Sequence, residues 1–227
     1  MIYFILGAIV YFVPNLWVNY TLNKHNDILP NMPFSAKEFG EELLKEKGLD
    51  DVKIETTKEG DHYDLIDKTV RVEPSRLDRK SLTSITVMCH EIGHAIQHKE
   101  KYPPLERRYK IAKATNLITK LSTGITYIGI PIIVATGALP LIRVCLIVVL
   151  LSVIISMITH LMTLDVELDA SFKKAMPILE KKIPQEYHSA SKSILRVCAF
   201  TYVVGSLTSI LNVRNLWMFV RIFLFKR

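Results

Sequence analysis

The stretch CHEIGHAIQH, residues 89–98, carries three histidines at every fourth place, His90, His94 and His98, with Glu91 beside the first. Two imidazoles four residues apart stack on one face of a helix, about 6 Å apart along its axis. Such a pair suits a single zinc ion, bound at ~2.0–2.1 Å per nitrogen. A carboxylate directly after the first ligand, here Glu91, is placed to take a proton from metal-bound water as general base. His98 fits this scheme less well. Each four-residue step drifts about 40° around the helix, and His98 lies about 12 Å along the axis from His90. It reads as a surface residue or as an outer neighbour of the ligands. The spacing that supplies a third histidine in some zinc enzymes falls at position 100, where Glu100 stands.

A catalytic zinc takes three protein ligands and keeps one position open. The third ligand must come from another part of the chain. TLDVELDAS, residues 163–171, offers Asp165, Glu167 and Asp169 directly after a greasy run. Asp165 and Asp169 share one helical face and Glu167 lies on another. Glu167 is the best candidate ligand, with Ala170 and Ser171 on its face leaving room for the metal. Asp169 is a candidate hydrogen-bond partner of a ligand histidine from outside. The rival reading is that these acids only mark the water interface below a membrane helix. His62 and Tyr63, in EGDHYD, are candidates to donate a hydrogen bond to an oxyanion; the alternative is a hairpin turn with a polar tip. Cys89, Cys145 and Cys198 are far apart and form no CxxC pair. Neither a thiolate zinc site nor a disulfide framework is supported, and a reducing compartment fits.

The elements that must position these groups are legible as patterns. Residues 79–100 are helical in character, with Leu82, Ile85, Cys89, Ile92 and Ile96 at three- and four-residue steps. Asp78 is the candidate N-cap and Pro103-Pro104 the close. The small Gly93 and Ala95 would let a neighbouring element pack closely. Before this helix, Val52 and Ile54, then Val70 and Val72, alternate with polar residues, the period of half-buried strands. With turns at Gly60-Asp61 and Asp67-Lys68 they predict a small antiparallel sheet. TVRVE is a candidate edge strand for pairing with an extended peptide. SAKEFGEELLKEK, residues 35–47, predicts an amphipathic helix with a Ser35–Glu38 capping box and a stop at Gly48.

The 227 residues combine 49% hydrophobic with 22% charged residues, a mean hydropathy of +0.24 and a net charge of +7. Greasy and charged stretches are segregated. Charges crowd residues 24–120 and 165–196 and are nearly absent from 1–22, 121–164 and 197–213. The chain shows no helix-turn-helix, zinc-finger or aromatic RNA-binding pattern, so the excess charge points to anionic lipid and not to nucleic acid. Five segments follow: an N-terminal membrane anchor (1–22), a polar region with the HEIGH helix (23–120), a transmembrane hairpin (121–164), a third-ligand segment (165–195) and a C-terminal transmembrane segment with its tail (196–227). The anchor is slightly short for a ~30 Å hydrocarbon core, and Pro14 would kink it or end it early. Gly137 and Pro140 favour a hairpin of two spans over one long bent helix. Whether 212–227 spans, re-enters or lies at the interface stays open.

Basic residues collect on one side of these spans, among them Lys24, Arg107, Arg108, Lys110 and Lys113, then Lys173, Lys174, Lys181 and Lys182. That bias places the polar parts in the cytoplasm. The ligand choice requires the same topology, because an even number of crossings must separate His94 from Glu167.

HEIGHAIQH, the upstream GDHYDLIDKTVRV and the downstream LDVELDAS together resemble the neutral zinc metallopeptidases of bacterial membranes. The resemblance covers most of the chain. It implies zinc on His90 and His94, Glu91 as base, and Glu167 as third ligand in a gluzincin-type arrangement. Leu65 and Asp165 stand where the family usually has proline, and neither change removes a proposed ligand. The expected protein is an α+β, mostly helical, multi-pass membrane protein with a small antiparallel sheet. Its expected activity is hydrolysis of peptides or proteins at the bilayer with one zinc ion. The competing functions are a catalytically silent metal-binding scaffold or chaperone-like protein, and a zinc hydrolase of non-peptide amides.

Overall fold

The structure is a computed structural model that describes residues 2–138 and 140–210. The tail from residue 211 onward lies outside the described residues. The chain divides into two compact units, one of Asn15–Glu106 with Leu164–Thr201, the other of Met1–Pro14, Arg107–Thr163 and Tyr202–Arg227. The fold is mostly helical. The N-terminal helix α1 (Ile2–Lys24) continues past Pro14 to Lys24, so the proline neither ends it nor limits it to the apolar run.

In the first unit, α2 (Ala36–Glu46) opens with the expected capping box: Ser35 Oγ accepts from the Glu38 N–H, and Glu38 Oε2 accepts from the Ser35 N–H. Its buried stripe of Phe39, Leu43 and Leu44 faces the core, and Gly48, at φ 61°, ends the run. Three strands follow: β1 (Lys53–Thr56), β2 (His62–Asp64) and β3 (Thr69–Val72). The expected antiparallel pairing holds for β2 and β3, with Tyr63 opposite Val70. β1 instead joins β3 in parallel, Ile54 opposite Val70, so the sheet is mixed with order β1-β3-β2. The chain crosses β3 between Thr56 and His62. Asp61 fixes that crossing by accepting from the Glu73 N–H at 2.8 Å and by pairing with Arg76. The segment TVRVE is therefore the central strand and not an edge. Its backbone groups are taken on both sides, and no peptide can add there.

A single helical turn, α3 (Pro74–Leu77), leads to the motif helix α4 (Leu82–Lys99). Its N-cap is Ser81, whose Oγ accepts from the Ser84 N–H at 3.1 Å. Asp78, the expected cap, instead ends α3. The reason lies in the residues between. The carbonyls of Arg79 and Lys80 accept from Ala36 and Leu29, and Ser81 bridges to Ile28, which holds this stretch extended. Pro103-Pro104 does not close α4. Lys101, at φ 52°, breaks the helix, and the prolines begin α5 (Pro103–Gly124), where a missing N–H costs nothing.

Every residue of α4 from Leu82 to Gln97 is buried. One side packs on α2 and the sheet. The other packs on α8 (Leu164–Leu168), the π-helical segment Asp169–Ala175 and α9 (Met176–Lys182). Residues 185–187 form a 3-10 turn before α10 (His188–Ile210), whose Ile194 and Leu195 join the core with Ile85, Met88, Ile92 and Leu179.

In the second unit, α5 runs through a π turn (Ile125–Gly129) into α6 (Ile130–Thr136), and α7 (Pro140–Met162) returns beside it. Gly137, at φ 75°, caps α6, so the hairpin holds and the single bent helix does not. Thr115 pairs with Thr159 at 2.8 Å and Ser152 donates to Ser122 at 2.8 Å. Such hydroxyl pairs tie helices together where no hydrophobic drive exists between them. Among the described residues, two helical runs, Pro103–Thr136 (α5–α6) and Pro140–Lys182 (α7–α9), are long and apolar enough to cross a membrane. Only 17% and 12% of their most apolar windows is buried, so these are not core helices of the unit that carries them.

Gly93 and Gly40 give a contrast in tolerance. A Cβ at Gly93 would lie 2.8 Å from the Ala170 carbonyl oxygen, whereas one at Gly40 would meet the movable ends of Ile54 and Met88. Gly93→Ala is expected to lower stability by about 1–3 kcal/mol and Gly40→Ala by less, since backbone yields less than a side-chain tip. Thermal unfolding of both variants beside wild type checks the order.

Candidate metal centre

His90 and His94 occupy adjacent turns of α4 with ring centroids 4.9 Å apart and planes at 79°. Glu167, from α8, lies across from them. Its Oε2 is 3.3 Å from His90 Nε2 and 3.2 Å from His94 Nε2. One ligand atom from each residue falls within 4.8 Å of the others. The three are buried, at 3%, 6% and 0% exposure. The two Nε2–Oε2 distances match the ~3.3 Å edge of a tetrahedron whose corners lie ~2.0–2.1 Å from its centre, the geometry zinc adopts with nitrogen and oxygen ligands.

The hydrogen bonds behind the rings decide what their inner nitrogens carry. Ser171 Oγ donates its one proton to the Leu195 carbonyl at 3.2 Å. It can then only accept from His90 Nδ1, 3.0 Å away. Gln97 Nε2 donates to the Val166 carbonyl at 2.9 Å and to Asp169 Oδ2 at 2.8 Å, both pure acceptors. Its Oε1 therefore accepts from His94 Nδ1 at 2.9 Å. In the neutral imidazole one nitrogen bears the proton and the other a lone pair, and the partners select which. Both Nε2 atoms thus turn lone pairs toward a carboxylate oxygen. Three electron-rich atoms converging in a buried place could hold a cation, and a His, His, Glu donor set fits zinc.

The surrounding elements hold this trio from both sides. Gly93, one residue before His94, lets the backbone at Ala170 come against α4. Glu167 and Ser171, four residues apart, then both face the histidines. Ser171, expected only to leave room for the metal, is the partner of His90. Asp169 does not reach a histidine directly, and Gln97 stands between it and His94. Gln97 and the role of Ser171 are the site residues that sequence reasoning missed. The available signal was helical spacing: Gln97 lies three residues after His94, and Ser171 four after Glu167.

Glu91 is buried, at 6% exposure, in the same turn as His90. His98 is outside the trio. Its Nδ1 pairs with the Tyr63 hydroxyl at 2.9 Å, and the rings meet edge-on at 5.9 Å. Burial, helped by the negative charges of Asp51 and Asp64, pushes the Tyr63 hydroxyl up to about 12. His62 Nδ1 lies 2.8 Å from the Gly60 carbonyl, a bond within the crossing loop. Neither of these two oxyanion candidates belongs to the group of three. Cys89 donates to the Ala175 carbonyl, and burial pushes its thiol well above the usual range, so it offers no thiolate beside His90.

The chain is 30% identical over 210 residues to "Putative membrane protease YugP" of Bacillus subtilis (strain 168), covering 91% of this chain and 88% of the relative. No solved structure matches. The profile of one family, "Putative neutral zinc metallopeptidase", matches residues 1–223, and the chain belongs to that family.

Proposed function

We infer that the chain is a membrane-bound zinc metalloendopeptidase, with one zinc ion held by His90, His94 and Glu167 and with Glu91 as general base. The observation that carries this reading is the buried trio, whose Nε2 lone pairs and carboxylate converge within 4.8 Å. When bound, zinc would supply Lewis acidity, lowering the pKa of water to ~7 and polarising the scissile carbonyl. The protein's own part is proton transfer and positioning. Glu91 takes the proton of the attacking water and hands it to the leaving amine, a contribution of roughly 10²–10⁴ in rate. Ser171 and Gln97 hold the rings so that neither swings out of line. A purely structural ion would need no base, so the carboxylate at position 91 favours the enzyme over a silent scaffold.

The substrates proposed are peptides or proteins at the membrane, in keeping with the relative named a membrane protease and with the two long apolar helices. The orientation proposed is multi-pass with the catalytic side cytoplasmic. It rests on the basic residues beside the apolar helices, Arg107, Arg108, Lys110 and Lys113 on one and Lys173, Lys174, Lys181 and Lys182 on the other.

Two variants test the reading. Glu91→Gln keeps size and ligand set, and is expected to retain zinc while hydrolysis of a peptide library falls roughly 10²–10⁴-fold. Metal analysis beside mass-spectrometric detection of cleavage reads both; equal cleavage by the variant would remove Glu91 from its role. Glu167→Ala is expected to leave well under one zinc per chain after dialysis against buffer containing micromolar zinc. Full occupancy in that variant would mean that the third ligand is another residue.

A further inference from the structure

We propose that Gln97 and Asp169 form a positioning relay that aims the lone pair of His94 and fixes the segment bearing Glu167; this rests on the metal reading above. Gln97 is fully buried, at 0% exposure. A buried amide is tolerated when its polar atoms are bonded, and this one is bonded at both ends. Its Oε1 accepts from His94 Nδ1, while its Nε2 donates to the Val166 carbonyl and the Asp169 carboxylate. Val166 and Asp169 stand on either side of Glu167 in sequence. One side chain therefore ties a ligand on α4 to both flanks of the ligand on α8.

Only an amide meets this set of partners. A carboxylate at position 97 would bring no proton to Val166 or Asp169 and would face a second negative charge. A hydrocarbon would leave His94, Val166 and Asp169 without partners in a buried place. Asparagine is one methylene short. The amide also keeps the Asp169 charge one residue removed from the trio. Lys173 Nζ, 3.6 Å from Asp169 Oδ1, offsets that charge on the outer side. His90 is held differently, by a neutral chain that ends on the Leu195 carbonyl. The two ligand histidines thus have outer partners of unequal strength, and only that of His94 ends in a carboxylate.

The test uses the full chain in detergent, with zinc affinity measured by competition against a chromophoric chelator. Gln97→Leu is expected to bind zinc roughly ten- to a hundredfold more weakly than wild type. Gln97→Glu should lose affinity as well, because two carboxylates then oppose each other. The double variant, Gln97→Glu with Asp169→Asn, reverses donor and acceptor. The amide introduced by Asp169→Asn supplies an N–H that the new carboxylate at position 97 accepts, beside that of His94. Affinity in the pair should exceed that of Gln97→Glu but stay below wild type, because the Val166 carbonyl still lacks its donor. A residue that only filled space would give no recovery. Wild-type affinity in Gln97→Leu, or a double variant no tighter than Gln97→Glu, overturns the relay. Should the position-97 variants fail to fold, Asp169→Asn alone decides. It is expected to weaken zinc several-fold without lowering the unfolding temperature of the metal-free protein, and unchanged affinity overturns the relay. Wild-type protein that binds no zinc overturns the metal reading itself, a distinct outcome.

Discussion

A fully buried carboxylate facing two imidazole lone pairs is costly unless a positive charge, a metal ion or a proton, lies between them. The effective penalty for an uncompensated buried ion is several kcal/mol, a large part of the roughly 5–15 kcal/mol that holds a typical domain together. Glu167 is in that position, at 0% exposure and 3.2–3.3 Å from both Nε2 atoms. The arrangement makes sense as a cation site, and the rest of the polar unit reads as the means of keeping it in place. Ser171 and Gln97 set the tautomers. The notch at Gly93 sets the distance between the two ligand-bearing elements. The cap at Ser81 and the near-total burial of α4 keep the histidine face from sliding.

The two ligand-bearing elements come from distant parts of the chain, His94 and Glu167 being 73 residues apart and joined through the hairpin of α5–α7. The polar contacts between them are few but fully bonded: Ser171 with His90, Gln97 with Val166 and Asp169. Among the described residues no buried side-chain nitrogen or oxygen lacks a hydrogen-bond partner. A buried polar network specifies one arrangement when it is complete and destabilises when it is not. The π-helical form of Asp169–Ala175 belongs to the same local compromise, since π turns cost regular helix geometry and collect at functional sites.

Much of this was legible in the residues, and the parts that were not share a cause. The His90–His94 spacing, the capping box at Ser35 and the turn at Gly137 are local, and local patterns carry their own geometry. Glu167 was reachable because a zinc site needs a third donor and few buried acids offer one. The polarity of β1 against β3 was not legible: period-two alternation marks a strand and says nothing of its partner. Asp78 read as the cap because the extended pairing of residues 79–81 with Leu29 and Ala36, which moves the helix start to Ser81, comes from distant chain. Asp169 was legible as an outer partner of a ligand histidine, but the Gln97 side chain that stands between them, on distant chain, was not. Helix α4 presents two rows, the histidines and, one turn on, Gln97, so both acids find a partner there.

Charge accounting explains why the third acid is held at one remove. Zinc with Glu91 and Glu167 sums to zero, two positive against two negative, so the loaded site would bury no net charge. A third carboxylate in direct contact would leave an uncompensated negative charge in a low-dielectric place and would raise the proton affinity of its neighbours, Glu91 among them. A base that holds its proton too tightly cannot pass it on to the leaving amine. By interposing the amide of Gln97 and placing Lys173 behind Asp169, the chain gains an oriented, anchored imidazole while the charge that anchors it is neutralised outside the site. The neutral Ser171 chain on His90, next to the proposed base Glu91, obeys the same constraint from the other side.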